Sequence, residues 1–116
     1  MIMNTLCNAL AAILIIGLLF LTASCARQHY IKSEDGSLSF YYTDGTAEEI
    51  LFVSSLDRFQ PRPARKVGRD VWRVTVPLAA EFEYFYLVNG TPTLPDCPYT
   101  VQDDFGGKNC LYVHGL

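Results

Sequence analysis

Two adjacent acids, a glycine pair and a handful of cysteines and histidines carry what chemistry this 116-residue sequence has to offer. Asp103-Asp104 invites reading as a catalytic carboxylate pair. Neighbours on an extended chain point to opposite sides, whereas glycoside cleavage needs two carboxyls facing one bond about 5–9 Å apart. These acids are therefore expected to fold and solvate the loop before Phe105. Gly106-Gly107 has the composition of a phosphate cradle, but no helix pattern follows it, so a tight turn is expected. G-x-S-x-G, H-E-x-x-H and Walker signatures do not occur in the sequence. Asn89-Gly90-Thr91 fits a glycosylation sequon and is read instead as a turn. The expectation is a non-enzymatic chain that needs no cofactor.

The cysteines are read through their compartment. Met1 to Ala26 holds no charged side chain, and Ala9 to Ala23 is apolar apart from Thr22. A membrane-spanning helix needs about 20 apolar residues. A secretory leader has a shorter apolar stretch, about 7–15 residues, that ends in small ones. The run here ends Leu21-Thr22-Ala23-Ser24-Cys25, which resembles a bacterial lipobox, although no Lys or Arg lies near Met1. The expected organisation is a lipoprotein signal over 1–24, a lipidated tether over 25–36 with Cys25 carrying the lipid, and a folded domain over 37–116. An uncleaved anchor and an ordinary signal are the alternatives. Each places the folded part outside the cytoplasm, and the lipoprotein reading places it in the bacterial cell envelope, on a membrane anchor facing the periplasm or exterior.

In that setting Cys7 falls in the leader, and Cys97 and Cys110 remain as an even pair in oxidising surroundings, which suggests one disulfide. Its loop of about a dozen residues would be worth about 2–3 kcal/mol on a chain-entropy argument. Zinc is the alternative, but His114 is the one nearby partner and no C-x-x-C occurs, so no metal is expected. His29, in the polar run Ala26 to Gly36, is read as an exposed tether histidine. All 12 acids and 9 bases lie from Arg27 onward, giving the net charge of −3. That balance argues against a nucleic-acid partner, which calls for a concentrated basic patch.

The elements that must position any site are short strands. Ser37–Thr43 alternates Leu38, Phe40 and Tyr42 against polar neighbours, and Asp44-Gly45 ends it. Glu49 to Ser54 is a compact β run. Leu56 to Arg69 holds Pro61, Pro63, four arginines and a lysine. It is read as a solvated connection, with phosphate or anionic-lipid contact as the alternative. Asp70 to Leu78 sets Trp72, Val74 and Val76 on one face, with Trp72 read as packing. Glu81 to Val88 sets Phe82, Tyr84 and Tyr86 on one face and Glu81, Glu83 and Phe85 on the other. Asn89-Gly90 is a strong hairpin signal, Thr91 to Leu94 its return, and Cys110 to Val113 a last strand. Six or seven short strands at hairpin spacing predict an all-β, immunoglobulin-like antiparallel β-sandwich.

The stretch Phe82 to Asn109 adds a resemblance. Tyr84-Phe85-Tyr86, Val88-Asn89-Gly90, a Pro-containing loop and Asp103-Asp104-Phe105-Gly106-Gly107-Lys108-Asn109 together resemble the glycogen-binding or isoamylase early-set domain. That group includes family-48 carbohydrate-binding modules and the glycogen-binding domain of AMP-activated kinase β subunits. The likeness spans roughly Leu38 to Val113 and implies an immunoglobulin-like sandwich acting as a non-catalytic α-glucan or oligosaccharide binder. Transferred residue by residue, it implies a site at Phe59, Phe85, Phe105 and Asn109. Phe59 stands where the family has a first Trp, Pro92 near where a second is expected, and Phe85 where a Lys is usual; Asn109 is retained. The scaffold signature is thus kept while several sugar-contacting types are replaced. The alternative is a structural or interaction lipoprotein that contacts another envelope protein through an apolar patch.

Overall fold

The computed structural model describes residues 28–116, so the expected signal segment and Cys25 lie outside the described residues. Ten strands follow one another: β1 (His29–Glu34), β2 (Ser37–Thr43), β3 (Ile50–Ser54), β4 (Arg62–Pro63), β5 (Arg65–Gly68), β6 (Val71–Pro77), β7 (Glu81–Val88), β8 (Thr91–Thr93), β9 (Thr100–Gln102) and β10 (Lys108–Val113). They form two antiparallel sheets. One runs β1-β2-β6-β5; the other runs β4-β3-β7-β10-β9, with β8 also paired to β7. Taken in chain order, β1, β2, β6 and β5 occupy the A-B-E-D places of an immunoglobulin constant-type sandwich, and β3, β7 and β10 its C-F-G places. The expected all-β sandwich is what forms.

The core follows from the period-two patterning. Leu38, Phe40 and Tyr42 of β2 and Trp72, Val74 and Val76 of β6 face Ile50 and Phe52 of β3 and Phe82, Tyr84 and Tyr86 of β7. It is a core of rings: Phe40 sits 4.8 Å from Phe52 and 5.0 Å from Tyr84, and Tyr42 sits 4.8 Å from Tyr86, in the tilted and edge-on arrangements that ring quadrupoles favour. Trp72 is buried as expected, its ring under the Lys66 ammonium at 5.8 Å.

Three expectations are corrected. The segment read as a tether contains β1, paired with β2 from His29↔Tyr42 to Glu34↔Ser37, so the sandwich begins at His29 and not at Ser37. Asp35 (φ 49°) and Gly36 (φ 79°) form the hairpin between them, both central residues in the left-handed region that the right-handed twist of paired strands requires. His29 is accordingly 7% exposed, not a solvated tether residue. The basic, Pro-rich stretch is not a featureless connection either. Its β4 pairs with β3 and its β5 pairs with β6, so the chain crosses from one sheet to the other between Pro63 and Arg65. Pro63 is tolerated because β4 is an edge strand, where a missing N–H costs no ladder bond, and Pro61 precedes the strand.

Candidate functional site

The site is built on the outward face of β7. Inward-pointing Phe82, Tyr84 and Tyr86 alternate with Glu83, Phe85 and Leu87, which point away from the core. At the end of β7, Asn89 (φ 49°) and Gly90 (φ 83°) reverse the chain, and β8 returns along the same edge with Pro92 opposite Leu87. The Asn89 Oδ1 also accepts from the Glu48 and Glu49 amides at 2.8 and 3.0 Å, tying this turn to the approach to β3.

Beyond β8, β10 takes over the edge of β7, with Cys110 opposite Tyr84. One residue further, Asn109 comes level with Phe85. Phe85, Pro92, Leu94, Lys108 and Asn109, with Asp103 closing one end, line an open cleft of about 300 Å³. The floor is aromatic, one wall is apolar and the other is polar. Asn109 is 9% exposed and donates from Nδ2 to Glu83 Oε1 at 3.0 Å, which fixes its amide plane.

The wall formed by the β9–β10 hairpin is organised by Asp103. Its Oδ1 accepts from the Phe105 and Gly107 amides, both at 2.8 Å, and its own N–H donates to the Gly107 carbonyl at 2.8 Å. A Cβ on Gly107 would lie 2.7 Å from Asp103 Oδ2, so the loop closes only around glycine there. This is the loop-folding role expected of Asp103. The opposite wall is fixed by the Cys97–Cys110 disulfide, with Cα atoms 6.0 Å apart, which ties the segment after Leu94 to β10 beside Asn109.

Of the four residues singled out from sequence, Phe85 and Asn109 share the cleft. Phe105 is 96% exposed at the tip of the hairpin whose Asp103 and Gly107 do line it, so it stands above the rim. Phe59 does not join them. It follows the 3₁₀ turn Ser55–Asp57 on the β3–β4 connection, is 41% exposed, and lies outside the cleft lining. Arg58 and Phe59 both hold left-handed backbone, φ 62° and 63°. The Phe59 amide donates to the Ser54 carbonyl at 2.8 Å, which closes the loop back on the end of β3. Sequence reading missed Lys108 and Leu94 as lining residues. The signal for Lys108 was available: it begins the strand entering from the glycine pair, two residues after Gly106. Asn109 is a strand residue of β10 with a side-chain partner, Glu83, on β7.

A second group of polar side chains lies inside the sandwich. His29 Nε2 and the Tyr86 hydroxyl are hydrogen-bonded at 2.8 Å, and the His29 ring stacks over Tyr84 at 6.0 Å. Burial drives the His29 pKa down to about 4, the Asp96 carboxylate opposing this in part. Burial also raises the phenols of Tyr42, Tyr84 and Tyr86 above their ordinary value. All four are thus neutral near pH 7, and the pair closes the end of the core rather than offering a reactive group. Among the described residues no three His, Cys, Asp or Glu side chains gather in a metal-binding cluster.

The chain matches no protein-family model, and a search of curated proteins returns no match.

Proposed function

We propose that this chain is a non-catalytic binding domain of the cell envelope whose outer cleft takes an oligosaccharide, with an α-glucan as the first candidate. The observation that carries the reading is that Phe85 and Asn109, selected from sequence alone, line one open cleft. A sugar ring offers an apolar face for an aromatic floor and a rim of hydroxyls for a few fixed polar groups. Phe85 supplies the first; Asn109, Lys108 and Asp103 supply the second. The likeness to glycogen-binding early-set domains points to the same ligand class. The apolar leader and the lipobox-like Cys25 support attachment to a membrane through lipid.

Purified domain lacking the leader should bind glycogen, amylose or maltoheptaose saturably, and Phe85→Ala and Asn109→Ala should each abolish or sharply weaken that binding while the fold persists. Absence of binding at millimolar oligosaccharide would remove this ligand class. Incorporation of labelled fatty acid by the full chain, lost in Cys25→Ala, tests the anchor independently. Phe105 favours a second reading, contact with another envelope protein. A fully exposed aromatic ring at a hairpin tip is the kind of anchor a protein interface buries. Cross-linking from position 105 in the envelope would distinguish the two.

A further inference from the structure

The outward face of the four-stranded sheet carries a feature with no role in the cleft described above. Across its four strands one row reads Tyr30, Tyr41, Arg73, Arg65, each directly opposite the next. Tyr30 and Tyr41 are stacked at 4.6 Å with an interplanar angle of 7°, and the Lys32 ammonium sits over both rings. Arg65 and Arg73 are like charges opposed across a strand pair, an arrangement that destabilises a sheet unless something neutralises it. Among the described residues neither makes an ion pair; the one salt bridge joins Arg62 Nε to Asp57 Oδ2 at 2.7 Å.

That salt bridge completes the feature. It engages the Nε of Arg62, and Arg62 lines a cleft of about 410 Å³ together with Arg65, Arg73 and Thr75. The cleft lies where the chain crosses between sheets. Pairing of β5 with β6 ends at Arg73, so the β6 edge from Val74 onward has no strand partner on that side among the described residues. Three arginines line this cleft beside an open strand edge, two of them directly opposed across a strand pair, and the guanidinium fork is the side-chain group suited to a tetrahedral oxyanion.

We propose that the Arg62–Arg65–Arg73 cleft binds a phosphate ester, with Arg65 and Arg73 as its principal ligands and Arg62, positioned by Asp57, as the third. The shared chemistry is the phosphate group; a phospholipid headgroup and a soluble phosphate ester are its two sources. The site lies where β4 of one sheet meets β5 and β6 of the other, shares no lining residue with the oligosaccharide cleft, and does not depend on that reading.

The test uses the full chain in micelles of a neutral polyoxyethylene detergent. Inorganic phosphate should raise the melting temperature saturably. Arg65→Gln and Arg73→Gln should each weaken the apparent affinity about tenfold, the usual scale for losing one charge-assisted contact, while Arg69→Gln, in the turn of the same hairpin, leaves it unchanged. Without phosphate, Arg65→Gln and Arg73→Gln should melt at or above the parent, because each relieves the repulsion. Glycerol phosphate compared with micelles doped with phosphatidylglycerol then assigns the source by whichever binds more tightly. No saturable response to phosphate or to either ester would overturn the proposal. So would an equal loss in Arg69→Gln, which would mean diffuse charge attraction, or lower melting of both cleft variants without ligand, which would make the arginines structural.

Discussion

Lowering the pH from 7 to 4 should destabilise this domain through a single side chain, His29. In the fold the imidazole is buried against Tyr84, hydrogen-bonded to Tyr86, and its pKa is held down to about 4. In the unfolded chain it returns to 6.5. Above 6.5 both states carry neutral imidazole and the contribution is constant. Between 6.5 and about 4 the unfolded state takes up a proton that the folded state refuses, so stability falls as the pH falls. Below 4 both states are protonated and the effect of His29 is complete. About two and a half pH units at roughly 1.4 kcal/mol each give about 3 kcal/mol, a large share of the 5–15 kcal/mol typical of a domain. The groups packed around the ring do not blur this window: Tyr42, Tyr84 and Tyr86 stay neutral throughout it. Asp44, whose carboxyl is lowered first by the Thr46 amide, contributes stability that is lost only as the pH drops through its own depressed pKa, under the ordinary carboxylate value of 3.8. Urea midpoints measured from pH 7.5 to 4 should therefore drop mainly between 6.5 and 4. The slope should vanish in His29→Gln and survive in His114→Gln, the sequence having just these two histidines. A flat profile in the parent, or an undiminished slope in His29→Gln, would refute the argument.

Three further outcomes follow from the hairpins and the disulfide. Reducing Cys97–Cys110, or replacing both with Ser, should lower unfolding stability by about 2–3 kcal/mol and increase amide exchange around Leu94, measured by urea unfolding and hydrogen exchange. Gly107→Ala should cost about 1–2 kcal/mol by displacing the Asp103 carboxylate and breaking its bonds to the Phe105 and Gly107 amides, and should weaken ligand binding in the outer cleft; titration calorimetry with a thermal melt checks both. Asn89→Ala should cost about 1–3 kcal/mol, because the left-handed turn backbone and two amide bonds to the β3 approach are lost together, again read from urea midpoints.

The parts legible in sequence are those where burial imposes strict alternation. Ser37–Thr43 and the run from Val71 to Pro77 are strands with their expected inward residues, and Asn89-Gly90 turns as its composition requires. β1 was obscured because an edge strand buries little. Only His29 and Ile31 face the core there, and a histidine in an inward place breaks the apolar signature, although Asp35-Gly36 carries a hairpin signal as strong as the one at Asn89. β4, β5 and β9 are two to four residues long, too short for periodicity to register. In the site, Phe85 was placed correctly because its face follows from parity along β7. Phe59 was not, because its position depends on two consecutive left-handed residues in an irregular loop, which no pattern announces.

The immunoglobulin frame needs neither β8 nor β9, nor a disulfide outside the paired core strands. β8 is added along the edge of β7 and β9 along the far side of β10, and the disulfide ties the segment between β8 and β9 to β10. Each fixes a different wall of the same cleft: β8 brings Pro92, the disulfide holds the segment after Leu94, and the β9–β10 hairpin, folded by Asp103 around Gly107, presents Lys108 and Asn109. Ordering that many loop residues costs about 1–2 kcal/mol each in backbone entropy, against little added core, since most of them are exposed. The sandwich would close without this expense. The proposed binding role would account for it, and that proposal predicts that shortening the loop between Leu94 and Tyr99 in a Cys97→Ser, Cys110→Ser background would abolish ligand binding while leaving the aromatic core and its near-ultraviolet dichroism intact.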